Sequence, residues 1–211
     1  ATPTRTEPGA TATAPATLGA ELSVLRRRPL QLAVTLAVLV NAATFCTFTY
    51  LAVIATQPAG VSEAAMPGLL ALFGIGAFLG VTVAGRLGDR HWRPLLGIAS
   101  PILLVGWVTL GLAPVSPALL WSLAFTQGAL SFAVGSTLIA RIMAEAEAAP
   151  TMSGAYSTAA LNIGAVIGPI AGGLALHLAG THGIALTSAA LIGLALLLWL
   201  CSANQHEGTG I

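Results

Sequence analysis

Few side chains in this 211-residue chain could do chemistry, and the charged ones stand between long apolar segments. Asp89 lies among Arg86, Arg90 and Arg93. A carboxylate in such a setting can accept hydrogen bonds from an Arg or from a helix N-terminus, and so can hold two segments together in one state and release them in another. For Arg86, Arg90 and Arg93 themselves the alternative is that they only fix the topology.

A second set of candidate residues is polar or aromatic and uncharged, and lies inside the apolar segments. Asn41, Thr44 and Phe48 follow i, i+3, i+7 spacing, and Gln127 and Ser131 follow i, i+4 spacing, so each group shares one helix face. They are candidates for a cavity that binds a small molecule, as are Phe45 and Asn162. The alternative for the amides is an interhelical hydrogen bond, worth about 0.6 kcal/mol in membranes. Thr and Ser can instead bond their own helix backbone, and Phe45 can simply pack.

The remaining reactive residues indicate neither an enzyme nor a metal or cofactor site. An intramembrane serine protease needs G-x-S-G and a later His on a facing helix, but Thr151-Met152-Ser153-Gly154 lacks the first Gly and no His follows in 183–202. Cys46 and Cys201 are predicted at depths too different for a disulfide. Lys is absent and the net charge is +1, so no basic surface for nucleic acid is expected.

The composition is that of a membrane protein. Only 7% of the residues are charged and 56% are hydrophobic, with a mean hydropathy of +0.89, whereas a soluble domain carries roughly 25% charge. The apolar segments predict an all-α protein with six spans at 30–56, 62–84, 94–113, 117–140, 153–178 and 183–202. We therefore expect a cytoplasmic linker with a short amphipathic helix at 1–29, a six-helix bundle at 30–203 and a cytoplasmic tail at 204–211.

The eight Arg residues predict the orientation of these helices. All eight fall on the same side once six helices are drawn, so the positive-inside rule places both termini in the cytoplasm. Burying Arg86, Arg90 and Arg93 would cost about 3 kcal/mol each. We therefore expect 85–94 to be a loop.

An internal repeat relates two of the predicted helices. Residues 75–85 align with 163–173 at an offset of 88, with Ile, Gly, Ala, Gly and Gly coinciding. Because three helices separate the copies, they must cross the membrane in opposite directions, which describes an inverted 3+3 repeat. The alternative is coincidence in a Gly- and Ala-rich chain. The small-xxx-small spacing in both copies predicts close helix packing, and Pro169 is expected to kink or soften the fifth helix.

Two motifs resemble those of the major facilitator superfamily. The stretch 85–94 is similar to the superfamily's loop motif G-x-L-a-D-r-x-G-r-[KR]: Gly85, Leu87, Asp89, Arg90 and Arg93 fit, while Trp92 and Pro94 depart from it. The segment 164–173 resembles the antiporter motif G-x-x-x-G-P-x-x-G-G at all five marked positions, which are Gly164, Gly168, Pro169, Gly172 and Gly173.

The resemblance further indicates the C-terminal half of such a transporter. The N-terminal half carries R-x-x-q-G in its fourth helix, but here Ala124 stands in place of the Arg although Gln127 and Gly128 are kept. Residues 41–51 look like the seventh helix of chloramphenicol-resistance and arabinose-efflux-type exporters. The resemblance implies that Gly85, Asp89, Arg90 and Arg93 gate a cavity that opens alternately to the two sides of a bacterial inner membrane.

The function implied is export of a small amphipathic drug such as chloramphenicol, with proton coupling. No Asp or Glu is predicted at membrane depth, so the coupling acid would belong to a partner. That partner is an N-terminal six-helix half, from the same gene or a separate chain, or a second copy in a homodimer. The alternatives are export of a sugar-like metabolite and a non-transporting assembly subunit.

Overall fold

The computed structural model describes residues 18–57, 59–113, 116–149 and 151–207, without the side chains at 18, 20, 88, 89 and 204–207. The predicted linker at 1–16 and the last residues of the tail lie outside these ranges. All regular structure within them is helical. The elements are α1 Leu18–Val24, α2 Arg28–Thr49, α3 Leu51–Thr56, a 3-10 turn Glu63–Ala65, α4 Met66–Leu112, α5 Pro117–Glu145 and α6 Ser153–Glu207.

Five described segments are long and apolar enough to cross a membrane. They are Arg28–Thr49, Glu63–Leu87, Arg90–Leu112, Pro117–Glu145 and Ser153–Ala203. The last has 51 residues, and at 1.5 Å per residue it would extend for roughly 76 Å if straight. A bilayer core is about 30 Å thick, so this segment is more than twice as long as a single straight crossing requires. The chain is a multi-pass helical membrane protein.

The long helix α6 is broken at Gly180. Its φ of 68° and ψ of −161° lie in a region that is essentially open only to glycine. Before the break, α6 runs parallel to α2: Gly164 lies beside Val38, and Gly172 lies beside Tyr50. After it, Ser188 bonds the carbonyl oxygen of Ala43, and 192–199 share a cavity with Leu36 and Val40. The two arms of α6 therefore run along α2 in opposite directions.

The other long helix, α4, is broken at His91, where φ is −127° and ψ is 28°. Its first arm runs parallel to α5, since Gly68 approaches Trp121 and Gly80 approaches Ala129. Its second arm runs antiparallel, because Leu96 shares a cavity with Leu138 and Leu110 shares one with Leu120.

The expected loop at 85–94 is wrong. The helix continues through 85–90, and only His91 departs from helical dihedrals. Arg86, Arg90 and Arg93 are exposed at the adjoining ends of the two arms. A helix that protrudes from the membrane brings its guanidinium groups to water and still satisfies its own backbone, so the cost of burying Arg does not require a loop.

The predicted helix starts at 117 and 153 are confirmed. Ser116 Oγ accepts a hydrogen bond from the backbone N–H of Leu119 at 3.3 Å, and Pro117 occupies the first helical position. Helix α6 begins at Ser153. The predicted first span is divided at Tyr50 into α2 and α3. Helix α5 runs on to Glu145, beyond the predicted end at 140.

The short helix α1 packs against the start of α6. Tyr156 donates its hydroxyl to the backbone oxygen of Glu21 at 2.8 Å, and Thr151 donates to the Glu21 carboxylate at 2.5 Å. Glu21 and Val24 are buried, whereas Leu22 and Leu25 are exposed. The helix thus turns Glu21 and Val24 towards the bundle and Leu22 outwards, and Leu25 is exposed just after its end.

The break at Gly180 predicts a position-specific cost for a side chain. Gly180→Ala should lower the free energy of unfolding in detergent by about 1–3 kcal/mol, because alanine is strained at this φ and ψ. The matched change Gly193→Ala, in a helix interior where an added Cβ meets nothing within 4 Å, should be neutral or stabilise by up to about 1 kcal/mol. Equal effects of the two changes would contradict the backbone reversal at Gly180.

Candidate functional site

The glycines of the antiporter-like motif face α2 at backbone distance. A Cβ added at Gly164 would lie 2.7 Å from the carbonyl oxygen of Val38, and one at Gly172 would lie 2.8 Å from that of Cys46. Gly168 meets the carbonyl oxygen of Ala42 even more closely. These positions tolerate only hydrogen, so they let the two helix backbones touch.

Gly173 and Pro169 belong to the same contact. An added Cβ at Gly173 would lie 2.6 Å from the hydroxyl of Tyr50, and that hydroxyl donates to the carbonyl oxygen of Pro169 at 3.0 Å. The dihedrals of α6 stay helical through Pro169, and the break lies at Gly180 instead. All five motif positions are therefore gathered along one side of α2.

The other copy of the repeat makes the equivalent contact with α5. Gly76 meets the carbonyl oxygen of Phe125, and Gly80 meets that of Ala129. Residues 75–85 thus pack on α5, while residues 163–173 pack on α2. An inverted 3+3 repeat requires this exchange, because it interchanges the second helix with the fifth and the first with the fourth.

Three of the predicted cavity residues lie inside the bundle. Thr44, Gln127 and Ser131 are only 4%, 1% and 3% exposed. Thr44 donates to its own helix at Val40 O over 2.9 Å, and Gln127 donates through Nε2 to Leu103 O over 3.0 Å. Ser131 Oγ is buried without a hydrogen-bond partner among the described residues. These two hydrogen bonds are the ones that were named as alternatives to ligand binding for Thr44 and Gln127.

The other predicted cavity residues lie on more open faces. Asn41, Phe45 and Phe48 are partly exposed and follow i, i+4, i+7 spacing, so they share one face of α2. Asn41 donates through Nδ2 to the carbonyl oxygen of Leu161 at 2.6 Å. Asn162 is exposed. The open face of α2 is therefore mainly aromatic, with Asn41 at one end.

Two residues that sequence reasoning missed extend this face. The ring centroids of Phe45 and Phe48 are 6.1 Å apart, those of Phe48 and Phe73 4.7 Å, and those of Phe73 and Phe132 6.2 Å. We call these four rings the aromatic ladder; they connect α2, α4 and α5. Phe73 lies three residues before Gly76 and so on the helix face that packs against α5; that spacing could have identified it from the sequence. No sequence pattern identifies Phe132.

A small cavity lies beside the aromatic ladder. It has a volume of about 10 Å³, and its lining includes Phe48, Phe73, Trp107 and Gln127. Trp107 thus lines the cavity and carries a buried indole N–H that has no acceptor among the described residues.

Trp92 anchors the Arg-rich end of the bundle. Its ring lies 4.3 Å from the guanidinium carbon of Arg141 and 5.1 Å from that of Arg93. Arg141 also forms an ion pair with Glu145. This cation–π contact ties the break in α4 to the end of α5. Trp92 stands where the loop motif has a glycine. The contact between its ring and Arg141 is therefore one that a chain with glycine at this position could not make.

The remaining members of the predicted gating segment are only partly described. Gly85, Arg90 and Arg93 are exposed on the two arms beside His91. The side chain of Asp89 lies outside the description. Among the described residues, no group of His, Cys, Asp and Glu could hold a metal ion. Cys46 is buried and Cys201 exposed, and both are free.

The backbone contact at Gly168 predicts a large effect of substitution. Gly168→Leu should destabilise the protein by roughly 1–3 kcal/mol or more, because the side chain must separate two packed backbones. Ala190→Leu, at an exposed position of α6, is the matched control and should change stability little. Thermal unfolding in detergent measures both, and similar losses would count against the packing described.

Known proteins provide an independent comparison. The family model of the Major Facilitator Superfamily matches residues 1–161 and, overlapping, 69–209. The chain is 49% identical over 196 residues to the chloramphenicol resistance protein of Streptomyces lividans, covering 90% of the chain and 50% of that protein. It is 30% identical over 193 residues to the inner membrane transport protein YdhP of Escherichia coli strain K12, covering 90% of the chain and 49% of YdhP.

The chain spans about half the length of the curated relatives it matches. No solved structure gives a significant match. The family match extends over nearly the whole sequence, and the described helices have the length and apolarity that a membrane transporter requires. The chain belongs to the Major Facilitator Superfamily.

Proposed function

We propose that this chain is one six-helix half of an exporter that removes small amphipathic molecules such as chloramphenicol across the bacterial inner membrane. The observation that carries the proposal is the 49% identity to a chloramphenicol resistance protein over 90% of the chain. The chain corresponds to half of that relative, so the substrate cavity needs a second wall. An N-terminal six-helix half, from the same gene or a separate chain, or a second copy of this chain supplies it.

The six crossings are supported by the two helix breaks. His91 and Gly180 each divide a long helix into arms that run in opposite directions along α5 and α2. His182, just after the second break, lies 2.9 Å from the carbonyl oxygen of Gly111 at the end of α4. The turn at Gly180 and the end of α4 therefore share one side of the bundle, opposite the Arg-rich end at His91. The positive-inside rule makes that Arg-rich end cytoplasmic, together with both termini.

The packing of the bundle supports alternating access. Glycine contacts join the first arm of α6 to α2 and the first arm of α4 to α5, so each pair moves as one body. The inverted arrangement of the two pairs is the internal symmetry that rocking transporters use. Asp89, Arg90 and Arg93 would close the cytoplasmic rim against the other half in one state and release it in the next.

Proton coupling needs an acid from outside the described helices. The carboxylates whose side chains the structure describes are Glu21, in the short helix α1, and Glu63, Glu145 and Glu147, which lie at helix ends or in connecting segments. Asp89 stands beside the break in α4, and Glu207 is the last residue of α6. An intramembrane carboxylate that carries a proton would therefore come from the other half.

The export function is tested by supplying the half of the transporter that this chain does not contain. The chain should be fused to the half of the Streptomyces lividans relative that it does not match and expressed in an efflux-deficient bacterium. We expect higher chloramphenicol resistance and export that an uncoupler abolishes. If an N-terminal half supplies the second wall, the chain alone should insert without conferring resistance. Uncoupler-sensitive export by the chain alone would show that a second copy of this chain supplies that wall. An inserted hybrid that exports no chloramphenicol would overturn the proposal.

The orientation has a separate test. A reporter active only in the periplasm should be active when inserted at Gly60 or Gly180 and inactive at His91 or after residue 207. The reason is that Arg86, Arg90, Arg93 and Arg141 lie at the end of the bundle that contains His91, which the positive-inside rule predicts to be cytoplasmic. The opposite pattern of activity would contradict the proposed topology.

A further inference from the structure

The aromatic ladder defines which chemical group of a substrate this chain can hold. We propose that Phe45, Phe48 and Phe132, supported by Phe73, bind the aromatic ring of the exported molecule, so that this half selects uncharged arenes. The inference rests on the proposed function and deepens it, since it names the substrate class and the residues that determine it.

The geometry of the ladder favours a further ring. Phe48 and Phe73 are tilted by 36° at 4.7 Å, while the other two contacts are edge-to-face at 81° and 80°. Aromatic rings prefer offset or edge-to-face contacts with centroids about 4.5–7 Å apart. The three contacts within the ladder already have these preferred distances and angles. A ligand ring that stacks on the open side of Phe48 would add one more contact of the same kind.

Burial divides the four rings into one support and three contact surfaces. Phe73 is 6% exposed and packs against Gly128, so it is fixed inside the bundle. Phe45 and Phe48 are half-buried, and Phe132 is 37% exposed. Of the predicted cavity residues, Thr44, Gln127 and Ser131 are all buried. A substrate approaching this half therefore meets rings before it meets those polar groups.

The surroundings of the ladder favour an uncharged ligand with a hydroxyl group. The described charged side chains lie towards the ends of the helices, so a ligand ion at the ladder would lack a counter-charge from this chain. Asn41 shares the α2 face of Phe45 and Phe48, and its Nδ2 is already bonded to Leu161 O. Its Oδ1 remains to accept a hydrogen bond from a ligand hydroxyl. The best fit is a neutral arene that carries a hydroxyl at one end.

The test uses the hybrid transporter in everted membrane vesicles, with chloramphenicol as the transported probe. Two neutral alcohols with the same carbon skeleton size compete with it: benzyl alcohol, which has an aromatic ring, and cyclohexylmethanol, which has none. Aromatic contacts add a preference of roughly 2- to 10-fold beyond burial. We expect benzyl alcohol to inhibit more strongly than cyclohexylmethanol by about that factor.

Substitutions assign this preference to the ladder. Phe48→Leu and Phe132→Leu should each raise the KM for chloramphenicol and reduce the preference for the arene, whereas Phe48→Tyr should keep both near the starting values. Phe78→Leu is the control, since Phe78 is 71% exposed on α4 and makes no ring contact with the ladder. The amount of inserted protein is measured for every variant.

Each outcome decides the inference separately from the proposed function. Loss of the arene preference in the ladder variants, with the control unchanged, supports it. Equal inhibition by the two alcohols in the unmodified hybrid overturns it while chloramphenicol export stands. Equal effects of Phe48→Leu and Phe78→Leu on the preference also overturn it. A hybrid without export refutes the proposed function instead.

Discussion

Backbone contact at glycines is the interaction on which the rest of this structure depends. Inside a bilayer the lipid tails are as apolar as the side chains, so helices gain no hydrophobic energy by associating and depend on close packing. Gly164, Gly168 and Gly172 bring α6 against α2, and Gly76 and Gly80 bring α4 against α5. These two pairs leave the aromatic face of α2 open beside them, which is where the candidate substrate surface lies.

The helix breaks turn this packing into a repeated architecture. Gly180 reverses the chain because its dihedrals are open to glycine, and the returning arm then bonds the opposite side of α2 through Ser188. His91 has the same effect in α4, at the end where the Arg side chains meet solvent. Trp92 fixes that end by its contact with Arg141. The reversals and the glycine contacts together place the first arm of α4 parallel to α5 and the first arm of α6 parallel to α2.

The membrane class, the helix starts at 117 and 153 and the family could be predicted from the sequence, because hydropathy, capping chemistry and motif spacing are local. The helical state of 85–90 could not, since the cost of burying Arg fixes where the charges lie but not the backbone conformation between them. The spacing placed Asn41, Thr44 and Phe48 on one face of α2; Asn41 and Phe48 are partly exposed there, whereas Thr44 is buried. Two residues three positions apart differ by about 60° around a helix, so they can differ in burial although the spacing groups them.

The aromatic ladder illustrates the same limit. Phe73 and Phe132 are far apart in sequence, and the close approach of α4 to α5 at Gly76, Gly80 and Gly128 brings their rings together. The small-xxx-small spacing of Gly76 and Gly80 predicts a close helix contact, but it does not indicate which helix is the partner. Polar residues in apolar segments attract attention as ligand groups, yet here Thr44 and Gln127 satisfy the bundle's own hydrogen bonds.

The central claim, that two inverted arms of one chain pack on α2, is tested most directly by cysteine cross-linking. Thr47 and Ser188 hydroxyls lie 2.7 Å apart, and Asn41 contacts Leu161 at 2.6 Å. In a Cys46→Ser, Cys201→Ser background, the pairs Thr47→Cys with Ser188→Cys and Asn41→Cys with Leu161→Cys should both form disulfides in the membrane. Without a reversal at Gly180, residues 161 and 188 would be about 40 Å apart along one helix, whereas 41 and 47 on α2 are about 9 Å apart. A continuous helix could therefore not bring both pairs together. Cross-linking of only one pair in correctly inserted protein would contradict the account.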